Sequence, residues 1–318
     1  MADHKLATPT SEQLEAIWVQ VKNWGVWGDE DELGALNYLG QTQRVRGAGL
    51  VQEGLNVSLA HDLAVHPTPD TPYPAQHHML TSGDALNASG IPGYEASQDY
   101  VGTQVHGCGL THIDALCHMF VRGQMYNGFT SDMVKSNGGA MHNSVMSTAE
   151  GIAGRGVLLD VPRALERAYF DANEAIGIAD LEAAEKSQNV MVNEGDILII
   201  STGRDARKKA QQGILNPFSE GLAGLHPECL PWLHERKVAV LCGDGISDMM
   251  PGLGIEMWPF PIHQIGITGI GLHLIDNVRL DDLSALCDQQ QRWEFMFTVS
   301  PIRIPGGTGC PVNPIAIL

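Results

Sequence analysis

Basic residues are scarce in this sequence: 19 Lys and Arg stand against 37 Asp and Glu in 318 residues, for a formal net charge of -18 at pH 7. Nucleic acid and anionic membrane surfaces repel such a field, and no basic run offsets it, so neither is expected as a partner. A small or neutral molecule is. Long apolar runs are missing as well. No stretch approaches the ~20 residues that span a bilayer, and MADHKLATPTSEQLEAIW carries charges where a signal peptide needs an apolar block. The expected location is the cytoplasm. Closely spaced cysteines are also absent: Cys108, Cys117, Cys229, Cys242, Cys287 and Cys310 are scattered, unlike a small disulfide framework, and are expected to be mostly reduced.

What is present is a globular composition, 43% hydrophobic and 18% charged, which supports a sizeable core. No repeat, low-complexity tract or linker divides the chain, so residues 1–318 are expected to form one domain. Leu14, Ile17, Trp18 and Val21 recur at helical spacing within residues 11–22, with Ser11 as a candidate N-cap. Short β-branched runs predict strands at Gly156–Val161, Asp196–Thr202 and Val238–Cys242, with a further segment at Phe295–Ile304. Helical patterns at Ala179–Ser187 and His226–Arg236 lie between them, giving an α/β alternation with a mixed sheet. The loop-rich stretch from His61 to Tyr100 reads as a lid, an arm toward another subunit or a plain surface excursion.

The chemistry concentrates in VHGCGLTHIDALCHMF, which holds His106, Cys108, His112, Asp114 and His118 within thirteen positions. Along a strand, residues two apart share a face, so the first four can converge; if a helix starts near Asp114, His118 follows one turn on. Imidazole, thiolate and carboxylate are the donors that bind zinc or manganese, and a catalytic site needs about three of them with one position open. Cys117, out of phase with the others, reads as a small buried hydrophobe.

THIDALCH followed by FVRGQMYNGF resembles the metal-binding signature of the cyclase family, which includes bacterial arylformamidases (kynurenine formamidases) and isatin hydrolases. The family pattern is His, two residues, Thr, His, any residue, Asp, three residues, His. Thr111, His112, Asp114 and His118 match it. The first position carries Cys108, so either a thiolate replaces the imidazole, or His106 reaches in, or that ligand is absent. Residues 223–280 resemble the family's later half, where His263 matches a site histidine and Asp276 an acidic residue, with His273 as the alternative to Asp276. WGVWGDEDELGALN, GRGVLLDV, GDILIISTGR and PGGTGCPVNPIAI extend the resemblance over nearly the whole chain.

That resemblance implies a swivelling β/β/α fold, a mixed sheet flanked by helices, in a homodimer or homotetramer. It further implies a metal-dependent hydrolase that opens an amide, lactam or related acyl bond of a small aromatic or cyclic molecule. His112 and Asp114 are the first choices as ligands, with Cys108, His106 and Asp276 completing one or two metal positions. His118 and His263 are the acid/base candidates; alternatively His118 is a ligand to a second metal together with His263 and Asp276. A thiolate at Cys108 would favour zinc over manganese by softness. Trp24 and Trp27 are expected either as an aromatic wall of the substrate pocket or as anchors of the N-terminal helix. A polyketide-type cyclase or dehydratase, and a non-catalytic binding protein, are the alternatives.

Overall fold

The computed structural model describes residues 6–85, 90–172, 174–213 and 215–318. Residues 1–5 of the N-terminal segment and 86–89 of the 61–100 stretch lie outside the described residues. The principal sheet has nine strands. They are β1 (Asn56–Ser58), β2 (His112–Asp114), β3 (Ile152–Asp160), β4 (Ile197–Ser201), β5 (Val240–Gly243), β6 (His273–Asp276), β7 (Glu294–Val299), β8 (Gly309–Pro311) and β9 (Ile315–Ile317). Their spatial order is β1-β9-β7-β3-β4-β5-β6-β2-β8.

The centre, β3-β4-β5-β6, is parallel, and the flanking pairs are antiparallel. This is the mixed sheet expected. Parallel strands are covered on both faces and therefore read as continuous apolar runs. Along β3 and β4, Leu159, Leu198 and Ile200 enter one core cluster, whereas Leu158, Ile197 and Ile199 enter another on the opposite face. The three predicted strands are found with shifted ends, the largest shift being the start of β3 at Ile152. Phe295–Ile304 shortens to β7, because Pro301 has no N–H to continue a ladder.

Helices Ile178–Ser187 and Cys229–Glu235 occupy the intervals between parallel strands. The N-terminal helix α1 (Ser11–Val21) buries Leu14, Trp18 and Val21. Its N-cap is Thr10, one residue before the expected Ser11: Thr10 and Gln13 exchange side-chain and backbone hydrogen bonds in a capping box. Within the 61–100 stretch the chain forms a separate hairpin, Gln76–Thr81 with Gln98–Gly102. Among the described residues no helix is long and apolar enough to cross a membrane.

Candidate metal centre

Strand register builds the centre. β2 runs antiparallel to β6 with His112 opposite Asp276 and Asp114 opposite Leu274. Directly opposed residues share a face, and so do residues two apart on one strand. His112, Asp114 and Asp276 are thereby gathered on one side of two neighbouring strands, although 162 positions separate Asp114 from Asp276.

The two other donors arrive from non-strand segments. Residues 106–110 form a bend, so His106 reaches the centre by folding back, and its Nδ1 donates to Asp114 Oδ1 at 2.8 Å. Nε2 of His106 lies 2.9 Å from Thr308 Oγ1. His263 sits in the first turn of a π-helix, Ile262–Ile270, a geometry that recurs at functional sites. Asp248 accepts the backbone N–H groups of Ile262 and His263 at 2.9 Å each and the His263 Nδ1–H at 2.8 Å. One buried carboxylate thus caps the helix and orients the ring. His112 is oriented likewise, its Nδ1–H donating to Leu110 O at 2.8 Å. With Nδ1 engaged in both rings, Nε2 faces the centre.

Two three-donor groups result, His106/His112/Asp114 and Asp114/His263/Asp276, each with ligand atoms within 4.8 Å of one another. Asp114 belongs to both. His112 Nε2 is 3.3 Å from Asp114 Oδ1, and His263 Nε2 is 3.4 Å from Asp114 Oδ2 and 3.2 Å from Asp276 Oδ2. Asp114 is fully buried, and no hydrogen bond reaches its Oδ2. An unsatisfied buried carboxylate oxygen is costly unless a cation meets it, so the donor set fits a divalent metal ion.

The electrostatics fit the same conclusion. Burial opposes a charge on His112, but Asp114 and Asp276 raise it to about 9. Burial likewise opposes a charge on His263, yet the carboxylates of Asp114, Asp248 and Asp276 around its ring lift it well above the ordinary range. Burial pushes Asp276 up, with His263 pulling it down. Protons on these imidazoles supply positive charge beside the carboxylates, and a bound cation would take their place.

The remaining sequence candidates are placed differently. No helix starts at Asp114; the chain turns, with His118 N–H donating to Ala115 O at 2.9 Å. The His118 ring stacks on His106. Cys108 is in neither donor group among the described residues. It is buried in a small apolar cluster with Leu215, Leu222 and Met250, its Sγ 3.6 Å from Met250 Sδ, and burial pushes its thiol up to about 11. Cys117 is fully buried in the core, and all six cysteines are free thiols.

Trp24 packs edge-on against Trp18 and donates Nε1–H to Thr268 O at 2.7 Å, as an anchor of α1. Trp27 packs edge-on against Tyr38. His273 is fully buried, with no hydrogen bond to either ring nitrogen. Its position on β6, odd relative to Asp276, turns it to the other face. Asp248 was not singled out from the sequence; its only signal is an acidic residue in GISDMMP, fifteen positions before the ring it orients.

A cavity of about 270 Å³ borders the centre, lined by His106 and Cys108 and by Leu63, Pro72, Tyr73 and Phe218. A larger one, about 620 Å³, lies at the carboxyl ends of β3 and β4 and shares no residue with the donor groups. Its cations Arg163, Arg167 and Lys209 are each paired to a carboxylate, and of these two cavities only the smaller is lined by a member of the donor groups, His106.

Residues 55–247 match the family model described as "Putative cyclase". No curated protein matches the chain. Among solved structures, a novel cyclase superimposes with a TM-score of 0.83 at 28% identity, covering 95% of this chain and 99% of its own. Isatin hydrolase A from Ralstonia solanacearum gives 0.58 at 19% identity, covering 82% and 91%. An isatin hydrolase bound to the product analogue thioisatinate gives 0.56 at 19%, covering 85% and 94%. With more than half of its length matched to the family's sequence model and its fold shared nearly end to end with a solved cyclase, the chain belongs to the cyclase family.

Proposed function

We propose that the protein is a hydrolase that uses one or two divalent cations to open an amide, lactam or related acyl C–N bond of a small aromatic or cyclic molecule, in the manner of an arylformamidase or cyclic-amide hydrolase. The observation that carries this reading is the pair of three-donor groups sharing Asp114, one of whose oxygens has no hydrogen bond. A cation bound there supplies Lewis acidity toward an acyl oxygen and lowers the pKa of a water. His106, His112 and Asp114 would hold one position, and Asp114, His263 and Asp276 the other. His118, pulled by burial down to about 4 and stacked on His106, is a neutral imidazole at physiological pH and would take up a proton from a water that a bound cation had acidified.

The cavity beside His106, walled by Leu63, Pro72, Tyr73 and Phe218, suits an apolar ring. The fold likeness to isatin hydrolases supports a cyclic amide among the substrates. Imidazole and carboxylate donors serve zinc and manganese alike; zinc is proposed first, on the share of imidazole. Free thiols throughout suit a reducing compartment such as the cytoplasm.

A homodimer or homotetramer is proposed as the working form. The hairpin at 76–102 leaves Met79, Leu80, Tyr100 and Val101 about half exposed or more, and an isolated two-stranded ribbon is marginal in water. Light scattering at micromolar protein checks this, and a monomer refutes it.

The deciding experiment offers metal-loaded protein an aromatic formamide and isatin and reads product mass. Gain of one water, abolished by a chelator and restored by zinc or manganese, is expected. The family description favours a second reading, cyclisation or dehydration, for which mass stays constant or falls by one water. Protein that takes up no stoichiometric metal is instead a binding module.

A further inference from the structure

Asn277 follows Asp276 directly, is fully buried and holds a left-handed φ of 55°. Every polar atom of this residue is used. Its Nδ2 donates to Gly107 O at 2.8 Å and to Leu110 O at 3.0 Å. Its Oδ1 accepts from Arg204 Nη1 at 2.7 Å. Its backbone N–H donates to Gly245 O at 2.9 Å, and its carbonyl accepts from Thr111 Oγ1 at 2.6 Å.

Arg204, itself buried, continues the network by donating to Cys108 O and, at 3.1 Å, to Asp244 O. The carbonyls of Gly107, Cys108 and Leu110 all belong to the bend between His106 and His112. Leu110 O is shared: it accepts from Asn277 Nδ2 and also from the Nδ1–H of His112. The amide therefore holds the carbonyl that orients a ligand ring.

We propose that Asn277, braced by Arg204, is the positioning residue that sets the two donor groups relative to one another. The proposal rests on the metal reading given above. One carboxamide clamps the bend that leads from His106 to His112 onto the strand end that carries Asp276, so the placement of His106 and the ring orientation of His112, which the β2-β6 register does not set, depend on it. Asparagine is suited to the position. It supplies two donors and one acceptor from a short side chain, and it tolerates positive φ better than most residues. Partners that orient metal ligands in this way are worth ~10- to 100-fold in metal affinity.

The test uses full-length protein and Co²⁺ as the probe. It measures the dissociation constant by chelator competition and the visible absorption bands of the Co²⁺ complex, alongside circular dichroism of the metal-free protein. Asn277→Gly keeps the backbone conformation and removes the clamp. It should bind Co²⁺ ~10- to 100-fold more weakly, with shifted bands and an unchanged far-ultraviolet spectrum. If this variant fails to fold, Asn277→Asp takes its place. It is isosteric, still accepts from Arg204, and lacks the two donors, so its bands should shift; its added charge makes the bands, not affinity, the readout. A folded variant with wild-type bands and, for glycine, wild-type affinity overturns the proposal while leaving the metal reading intact. A wild-type protein that binds no Co²⁺ overturns the metal reading and the positioning role with it.

Discussion

The imidazole of His118 lies flat on that of His106, ring centroids 3.6 Å apart and planes within 8° of parallel. Burial pulls His118 down to about 4; Asp114 pulls the other way, and His106 and His263 add to the fall. A group so lowered is neutral from about pH 5 upward but a weak base, so its part in proton transfer depends on a water already acidified by a bound cation. His118→Asn should therefore lower kcat by ~10²- to 10⁴-fold while stoichiometric metal is retained. Metal analysis separates this from ligation: loss of one bound equivalent would make His118 a ligand, and unchanged kcat would remove it from the reaction.

Asp114 is shared by both donor groups, whereas Asp276 belongs to one. Asp114→Asn keeps the volume but removes the shared charge, so every bound equivalent and all activity should go together. His112→Ala should likewise abolish activity. Asp276→Asn should spare the His106/His112/Asp114 position. Elemental analysis of dialysed protein reads the difference, and an Asp114→Asn variant that keeps its full metal complement contradicts the shared role.

His106 and Cys108 compete for one ligand position in sequence, and geometry separates them. His106 Nδ1 is 2.8 Å from Asp114 Oδ1, while Cys108 Sγ lies beside Met250. His106→Ala should weaken metal binding at least tenfold, on the scale of a lost ligand partner, and Cys108→Ser should change it little. Titration with a chromophoric chelator would show the reverse order if the thiol were the ligand.

His273 supplies a pH-dependent stability difference. Burial lowers it to about 4 from 6.5, against the opposing pull of Asp114 and Asp31. Between those values the unfolded chain binds the proton and the folded chain does not, so stability falls as pH drops through that window, by about 3 kcal/mol over its width. His118, lowered similarly, adds its own share. His273→Leu removes one contribution, and because both ring nitrogens lack hydrogen bonds the substitution should cost little at pH 7. The melting temperature of metal-free variant should fall less than that of wild type between pH 7 and pH 4.5. An equal fall would mean that His273 does not titrate in this way.

Elements whose residues are apolar on both faces were readable in advance. ILIIS and GVLLD announce central strands because burial on two sides tolerates nothing else. The ribbon at 76–102 was not, since QHHMLT is exposed along most of its length and carries no burial pattern to read. Loop composition there concealed a hairpin.

Within the site, THIDALCH shows from sequence which side chains could donate to a metal, because donor type is a property of each residue alone. Which of them meet is a property of the fold. The β2-β6 register sets Asp276 opposite His112, the bend at 106–110 turns His106 inward and leaves Cys108 against Met250, and Asp248 orients His263. Sequence spacing carries none of this, since contacts between residues more than a hundred positions apart depend on strand pairing and on buried hydrogen bonds that exist only once the core has closed.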